Sequence, residues 1–386
     1  MHVGPYSGRS WDHMVVLCAA NNYDGIKLAD QHMAEQLSRL APVLYVDPPV
    51  SRVALAQDKR TVRLVKNPGL RQEKPDLVRI TPLVQPFSSQ RGLVTVSGAL
   101  IRHHLRKAVA HLGGQVRVII SAWAQHDVFR ACAGASSIYW AQDDFVGGAD
   151  LLGLDPGLLD VRERAVAATA NLVVAANPLV ADTWRTRGLE TVLIPYGVDV
   201  NAYSDVDLAP LPSDFTPGGP VAGFVGHINR RIDLRLLEAV ADRGWSLLMV
   251  GPRDPNFEPK RLDTLLQRPN VRWVGPKPFD VLPSYFRLID VGLVPYGDSP
   301  FNRGSFPLKT LEYLAAGRGV VASDLPAIRW LSTDLVSIAS EPADFADAVG
   351  NLIRAGRSRD VVARRRLLAS RHSWANRAAE MHEVIP

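Results

Sequence analysis

The stretch SPFNRGSFPLKTLEYLAAGRGVVASD, Ser299–Asp324, holds one complete helix-to-strand step, and its reading decides the fold. Ser305 and Pro307 are helix-opening residues and Gly317 is a helix stop. Leu308, Leu311 and Ala315 recur on one helical face, and Glu312 lies at the edge of that face in the second turn. A short apolar strand, Val320–Ala322, follows directly. A helix that feeds straight into a continuous apolar strand is one unit of a parallel α/β sheet.

The same alternation extends outward in both directions. The first half contains MVVLCAA, VLYVDPP, VRVIISA, SIYWA, NLVVAAN and TVLIPYG. The second half contains VAGFVGH, SLLMVGP, VRWVGP, VGLVPY, GVVASD and LVSIAS. Most are unbroken apolar runs ended by Gly, Pro, Asp or Asn, as expected of strands covered on both faces by helices. Two successive series predict two doubly wound α/β domains. Pro210 to Pro220 contains four prolines and two glycines and reads as a linker. The predicted organisation is a first domain over 1–200, a linker over 201–219, a second domain over 220–370 and a terminal helix over 371–386 anchored by Trp374, returning towards the first domain.

Composition narrows the function classes. Of 386 residues, 47% are hydrophobic and 22% charged, which is ordinary globular usage. Cys18 and Cys132 stand far apart with no metal-ligand spacing, and predict reduced thiols in a cytoplasmic protein. Met14–Ala20 is apolar but too short for a membrane span. The net charge is +5, yet residues 51–117 carry thirteen Lys and Arg against three Asp and Glu, leaving −5 for the remainder. That segment is either a solvated basic face or a surface for an anionic partner such as a membrane on its inner face. Within it, IRHHLRKAVAH (Ile101–His111) sets an apolar stripe among basic residues. No zinc spacing, RNP signature or basic zipper points to nucleic acid.

Ligands of open α/β sheets bind at the carboxyl ends of the strands. Glu312 could be a solvated glutamate on an amphipathic helix. It could equally accept a bidentate pair of hydrogen bonds from vicinal hydroxyls, as a ribose presents them, while the first-turn amides face a diphosphate. VAGFVGHINRRID places Gly226 at a strand end and Arg230 and Arg231 in the turn before a helix, where arginine can neutralise phosphate. VRWVGPKPFDVLPSYF offers a Gly-Pro turn suited to a flat base, and VGLVPYGDSPFN leads by a polar loop into the Glu312 helix.

Taken in order, these motifs resemble the carboxyl-terminal half of GT-B nucleotide-sugar glycosyltransferases. They are most similar to the retaining group that includes capsular and teichuronic acid transferases. LYVDPP, IYWAQDDF and RERAVAATANLVVAANPLVADTWRTRGLETVLIPYGVD are similar to that family's first domain and hinge. The resemblance implies two Rossmann-like domains facing across a cleft, and transfer of a sugar from a UDP- or GDP-linked donor to a cell-envelope glycan or lipid-linked acceptor, without a metal or other cofactor. It implies that Glu312 holds the donor ribose, that Lys309, Thr310 and Leu311 approach the diphosphate with Arg230, Arg231 and Gly226, and that Lys277 and Pro278 hold the base. Tyr296 and Asn302 belong to the same donor loops. Two positions depart from the family pattern. Gly304 stands where many members have a second glutamate, and Arg235 or Leu236 where many have a phosphate-binding lysine. In the first half the candidates are His126, Asp144 and Asp24, with Asn22 and Lys27 beside the last. Retaining chemistry needs no protein nucleophile, whereas an inverting reaction would need one of these as base. Asp205–Asp207 (DVD) lies in the linker and is not expected to bind metal. Alternatives are a sugar-nucleotide 2-epimerase of the same fold, or a non-catalytic subunit that binds a nucleotide or glycan.

Overall fold

Apolar runs of four to six residues dominate the sheets of the computed structural model, which describes residues 9–51, 69–85 and 93–385. The strands are β1 (Met14–Cys18), β2 (Val43–Val46), β3 (Val50–Ser51), β4 (Arg71–Lys74), β5 (Leu77–Ile80), β6 (Leu83–Val84), β7 (Val116–Ser121), β8 (Ser136–Ala141), β9 (Leu172–Ala175) and β10 (Thr191–Leu193). Then follow β11 (Val221–Val225), β12 (Ser246–Val250), β13 (Val271–Trp273), β14 (Val291–Val294), β15 (Gly319–Ala322) and β16 (Val336–Ile338). Every run singled out above contains one of these strands.

The chain divides into two units, Met1–Pro195 with Trp374–Pro386, and Tyr196–Ser373. Residues 196–219 therefore group with the second unit. The first unit has an eight-stranded sheet in the order β10-β9-β8-β7-β1-β2-β5-β4, parallel except for the β4–β5 pair. Its core includes Val16, Leu44, Ile119, Tyr139 and Val173, all buried. The helix Trp374–Glu383 belongs to this unit, and Trp374 stacks on His32 with centroids 5.5 Å apart. The second unit has a six-stranded, wholly parallel sheet in the order β13-β12-β11-β14-β15-β16. Its core is built on Phe224, Leu237, Met249, Leu293 and Phe345.

Strand order reverses between β1 and β7 in the first sheet and between β11 and β14 in the second. At such a switch point the two connecting loops diverge and open a crevice at the carboxyl edge. The linker carboxylate Asp207 serves structure: it accepts from Arg318 at 2.6 Å and from Arg366 at 3.1 Å. Among the described residues no group of three or more His, Cys, Asp or Glu side chains could hold a metal ion, and no helix is long and apolar enough to cross a membrane. Of the basic segment 51–117, Arg52, Lys59, Arg60, Arg63, Lys66 and Arg91 lie outside the described residues. The helix Leu93–Leu112 is described; Ile101, Leu105, Ala108 and Leu112 are buried while His103, Arg106 and Lys107 are exposed.

Candidate donor site

Glu312 owes its position to its neighbour. Tyr313 lies fully buried on the β14 backbone, where a Cβ on Gly292 would come within 2.2 Å of its ring. Only glycine admits that approach. The Tyr313 hydroxyl accepts from the Val225 amide at 2.9 Å and donates to the Gly223 carbonyl at 3.0 Å, both on β11. The helix Leu308–Ala315 is thus fixed in register on the two strands that flank the switch point. Pro307, not Ser305, caps it, and Ser305 instead ends a short helix over Pro300–Gly304.

The Glu312 side chain is only 13% exposed. Its Oε2 accepts from the Tyr203 hydroxyl at 2.8 Å and from Lys309 Nζ at 2.5 Å. Oε1 has no hydrogen-bond partner among the described residues. The expected bidentate grip through both oxygens therefore meets a carboxylate with one oxygen already engaged. Tyr203 is the residue that sequence reasoning missed. Its one local signal is a hydroxyl-bearing ring just past the hinge in YGVDVNAY. Burial beside Glu312 holds that hydroxyl well above its usual pKa, so it stays a donor.

A second cluster lines the switch point itself. Ile232, after β11, bridges to Tyr296, after β14. The Arg231 guanidinium lies 4.7 Å from the Tyr296 ring centre and 4.8 Å from that of Phe301, and its Nε donates to Asn302 Oδ1 at 2.8 Å. Buried Asn302 returns two bonds from Nδ2, to the carbonyls of Arg231 at 2.9 Å and Gly297 at 2.8 Å. Contacts with two rings and a bond to Asn302 fix the orientation of the guanidinium. The structure thus brings together Arg231, Tyr296 and Asn302. Arg230 lines a cavity of about 530 Å³ with Ile232, Asp254, Asn256 and Phe257.

The remaining donor-side candidates have distinct settings. Gly226 sits at the end of β11, its amide bonded to the Val250 carbonyl at 2.9 Å. Thr310 and Leu311 are fully buried, and the Thr310 amide is taken by the Pro307 carbonyl at 3.0 Å. Lys277 turns to the linker, donating to Asp214 Oδ2 at 2.6 Å, and Tyr285 donates to the same carboxylate at 2.9 Å. Pro278 opens a tight turn over Phe279–Val281. Arg235 pairs with Asp233 on its own helix cap and Leu236 is buried.

In the first unit, Asp24, His126 and Asp144 follow β1, β7 and β8, three adjacent strands, so they share one sheet edge. No direct bond joins any two of them among the described residues. His126 is 8% exposed, lies edge-on to Trp123 at 6.3 Å, and burial pushes its pKa down to about 4 with help from the Arg162 charge. It is neutral at physiological pH and lines a cavity of about 350 Å³ with Pro48, Pro49, Trp123 and Phe145. Asp24 accepts from Arg79, and Asp144 accepts from the Gly147 amide at 2.8 Å. Beneath them a buried lock holds the loop after β1: Asp30 accepts from Asn21 at 2.6 Å and from Gln142 at 2.7 Å.

The architecture is that of the GT-B glycosyltransferases, and residues 219–355 match the family described as glycosyl transferases group 1. Those residues, which carry β11 through β16 and Glu312, are a group 1 glycosyltransferase domain. The chain is similar to TuaH of Bacillus subtilis (strain 168), a protein assigned provisionally to teichuronic acid biosynthesis as a glycosyltransferase. Identity is 35% over 161 residues, and the match spans 40% of each chain. Sucrose-phosphate synthase from Thermosynechococcus elongatus superposes with a TM-score of 0.75 at 17% identity, covering 97% of this chain and 98% of that one. Anabaena Alr3699/HepE, solved with UDP-glucose, gives 0.66 at 14% identity over 96% and 98%.

Proposed function

We propose that this chain is a glycosyltransferase that moves a sugar from a nucleotide-sugar donor to a cell-envelope glycan or lipid-linked acceptor. The observation that carries the reading is Glu312: a largely buried carboxylate on the helix between β14 and β15, inside the segment that matches the group 1 family, with one oxygen bonded to Tyr203 and Lys309 and the other unengaged. Its negative charge suits the hydroxyls of a pentose, and the Arg231 cluster beside the β11–β14 crevice suits the diphosphate. That Alr3699/HepE was solved with UDP-glucose favours a UDP-linked donor over a GDP-linked one.

Transfer makes a bond from an acceptor hydroxyl oxygen to the sugar's anomeric carbon and breaks the bond to the departing diphosphate. In the retaining version the diphosphate takes the acceptor proton, so no protein base is needed. Neutral His126 can hydrogen-bond the transferred sugar without adding charge near the reacting carbon. We further propose that the reaction needs no resident metal, cationic side chains supplying the charge against the diphosphate.

A thermal-shift panel of nucleoside diphosphates and their sugars tests the donor reading, because a ligand that binds the native state raises its melting point. UDP or UDP-sugars are expected to give the largest rise. A panel with no rise for any nucleotide would contradict the proposal.

We also propose that the basic segment 51–117 docks on an anionic membrane at the cytoplasmic face. The exposed Arg106 and Lys107 on the helix Leu93–Leu112 support this. Co-sedimentation with vesicles should then be stronger for anionic than for neutral lipid at low salt and weaken as salt rises. Equal sedimentation with both lipids would remove the membrane from the account.

A further inference from the structure

We infer that Tyr203 is a positioning residue for the donor ribose: with Lys309 it saturates one oxygen of Glu312 and leaves Oε1 alone to read the sugar's vicinal hydroxyls. The inference rests on the donor reading above and goes a step beyond it.

Tyr203 ends a short helix, Val200–Tyr203, capped by Asp199. The residue is 1% exposed, with its ring 4.8 Å from that of Phe286 and 6.4 Å from that of Phe279. A phenylalanine would fill that space equally well, and a buried hydroxyl without a partner costs free energy. Among the described residues the hydroxyl's one partner is Glu312 Oε2. A carboxylate oxygen has two lone pairs. Tyr203 at 2.8 Å and Lys309 at 2.5 Å fill both on Oε2. Two donors on one oxygen also stop the carboxylate from rotating, so Oε1 keeps a fixed direction.

An asymmetry in ligand recognition follows. A carboxylate with both oxygens available would take one hydroxyl on each and would notice the loss of either alike. Glu312 offers one oxygen, so one of the two ribose hydroxyls should carry most of the interaction. The base that responds best in the nucleotide panel supplies the probes: its diphosphate in the ribo, 2′-deoxy and 3′-deoxy forms, with affinities measured by calorimetry. In the native chain one deletion should weaken binding about tenfold and the other by less than about twofold. In Tyr203→Phe the second oxygen regains a lone pair and the ratio between the two deoxy forms should fall below about threefold. A purely structural role would weaken all three ligands together and leave the ratio where it was.

Equal losses in the native chain, or an unchanged ratio in a folded Tyr203→Phe, would overturn the inference. Glu312→Gln separates the two levels. If it leaves the ribo form's affinity intact, the ribose reading itself fails. If it weakens that affinity while Tyr203→Phe leaves the ratio unmoved, only the role of Tyr203 fails.

Discussion

Replacing Glu312 with alanine is expected to weaken nucleoside-diphosphate binding by about 2 kcal/mol, roughly 30-fold in Kd, the scale of a hydrogen bond to a charged acceptor. The same change strands the hydroxyl of Tyr203, a residue 1% exposed, without its acceptor. That should cost about 1–3 kcal/mol of folding stability, visible as a lower melting point. Glu312→Gln distinguishes the two effects. The amide carbonyl still accepts from Tyr203, so the melting point should hold, while loss of the negative charge still weakens the ligand. Affinity that stays level in both variants would remove Glu312 from the donor site.

The second large effect is structural and concerns the glycine that follows β12. Gly251 has φ +138°, a conformation that L side chains rarely adopt, and a Cβ there would lie 2.0 Å from the Gly226 carbonyl oxygen. That carbonyl has little room to yield. The Gly226 amide is bonded to Val250 and the Gly251 amide to Gly275, each at 2.9 Å, so three strand ends are tied at one level. Gly251→Ala combines backbone strain of about 1–3 kcal/mol with a clash of similar size. The melting point should fall by roughly 10 °C. Gly244→Ala is the matched comparison, because Gly244 also has positive φ but nothing within 4 Å of its would-be Cβ. Gly251→Ala should therefore be the more damaging of the two. Equal losses would mean that the close approach to Gly226 contributes nothing.

Twelve apolar runs were legible as strands because each is continuous and sharply ended, a pattern that survives without tertiary information. What escaped was short or held together at a distance. The strand β5 reads LVRI, and a charge in its middle hides it. In the fold Arg79 is 2% exposed and is paired with Asp24 and Glu73. The segment before the Glu312 helix reads as a loop in the sequence. It contains a five-residue helix opened by Ser299, whose side chain accepts from the Asn302 amide, and five residues are too few to show periodicity. Within the donor site, residue types and strand-end positions were readable, but partners were not. Tyr203 and Glu312 are 109 positions apart, and Arg231 and Asn302 are 71 apart. Lys277 shows the limit most clearly. Its place after a strand suited a base-binding turn, yet its ammonium is 2.6 Å from Asp214 in the proline-rich linker, a carboxylate that no local pattern connects to it.

A crystal structure of the chain with a bound nucleoside diphosphate decides whether Glu312 reads the donor. A ribose hydroxyl should lie within hydrogen-bonding distance of Glu312 Oε1, with Tyr203 still on Oε2 and the diphosphate beside the β11–β14 crevice. A nucleotide seated with its ribose away from Glu312 would contradict it.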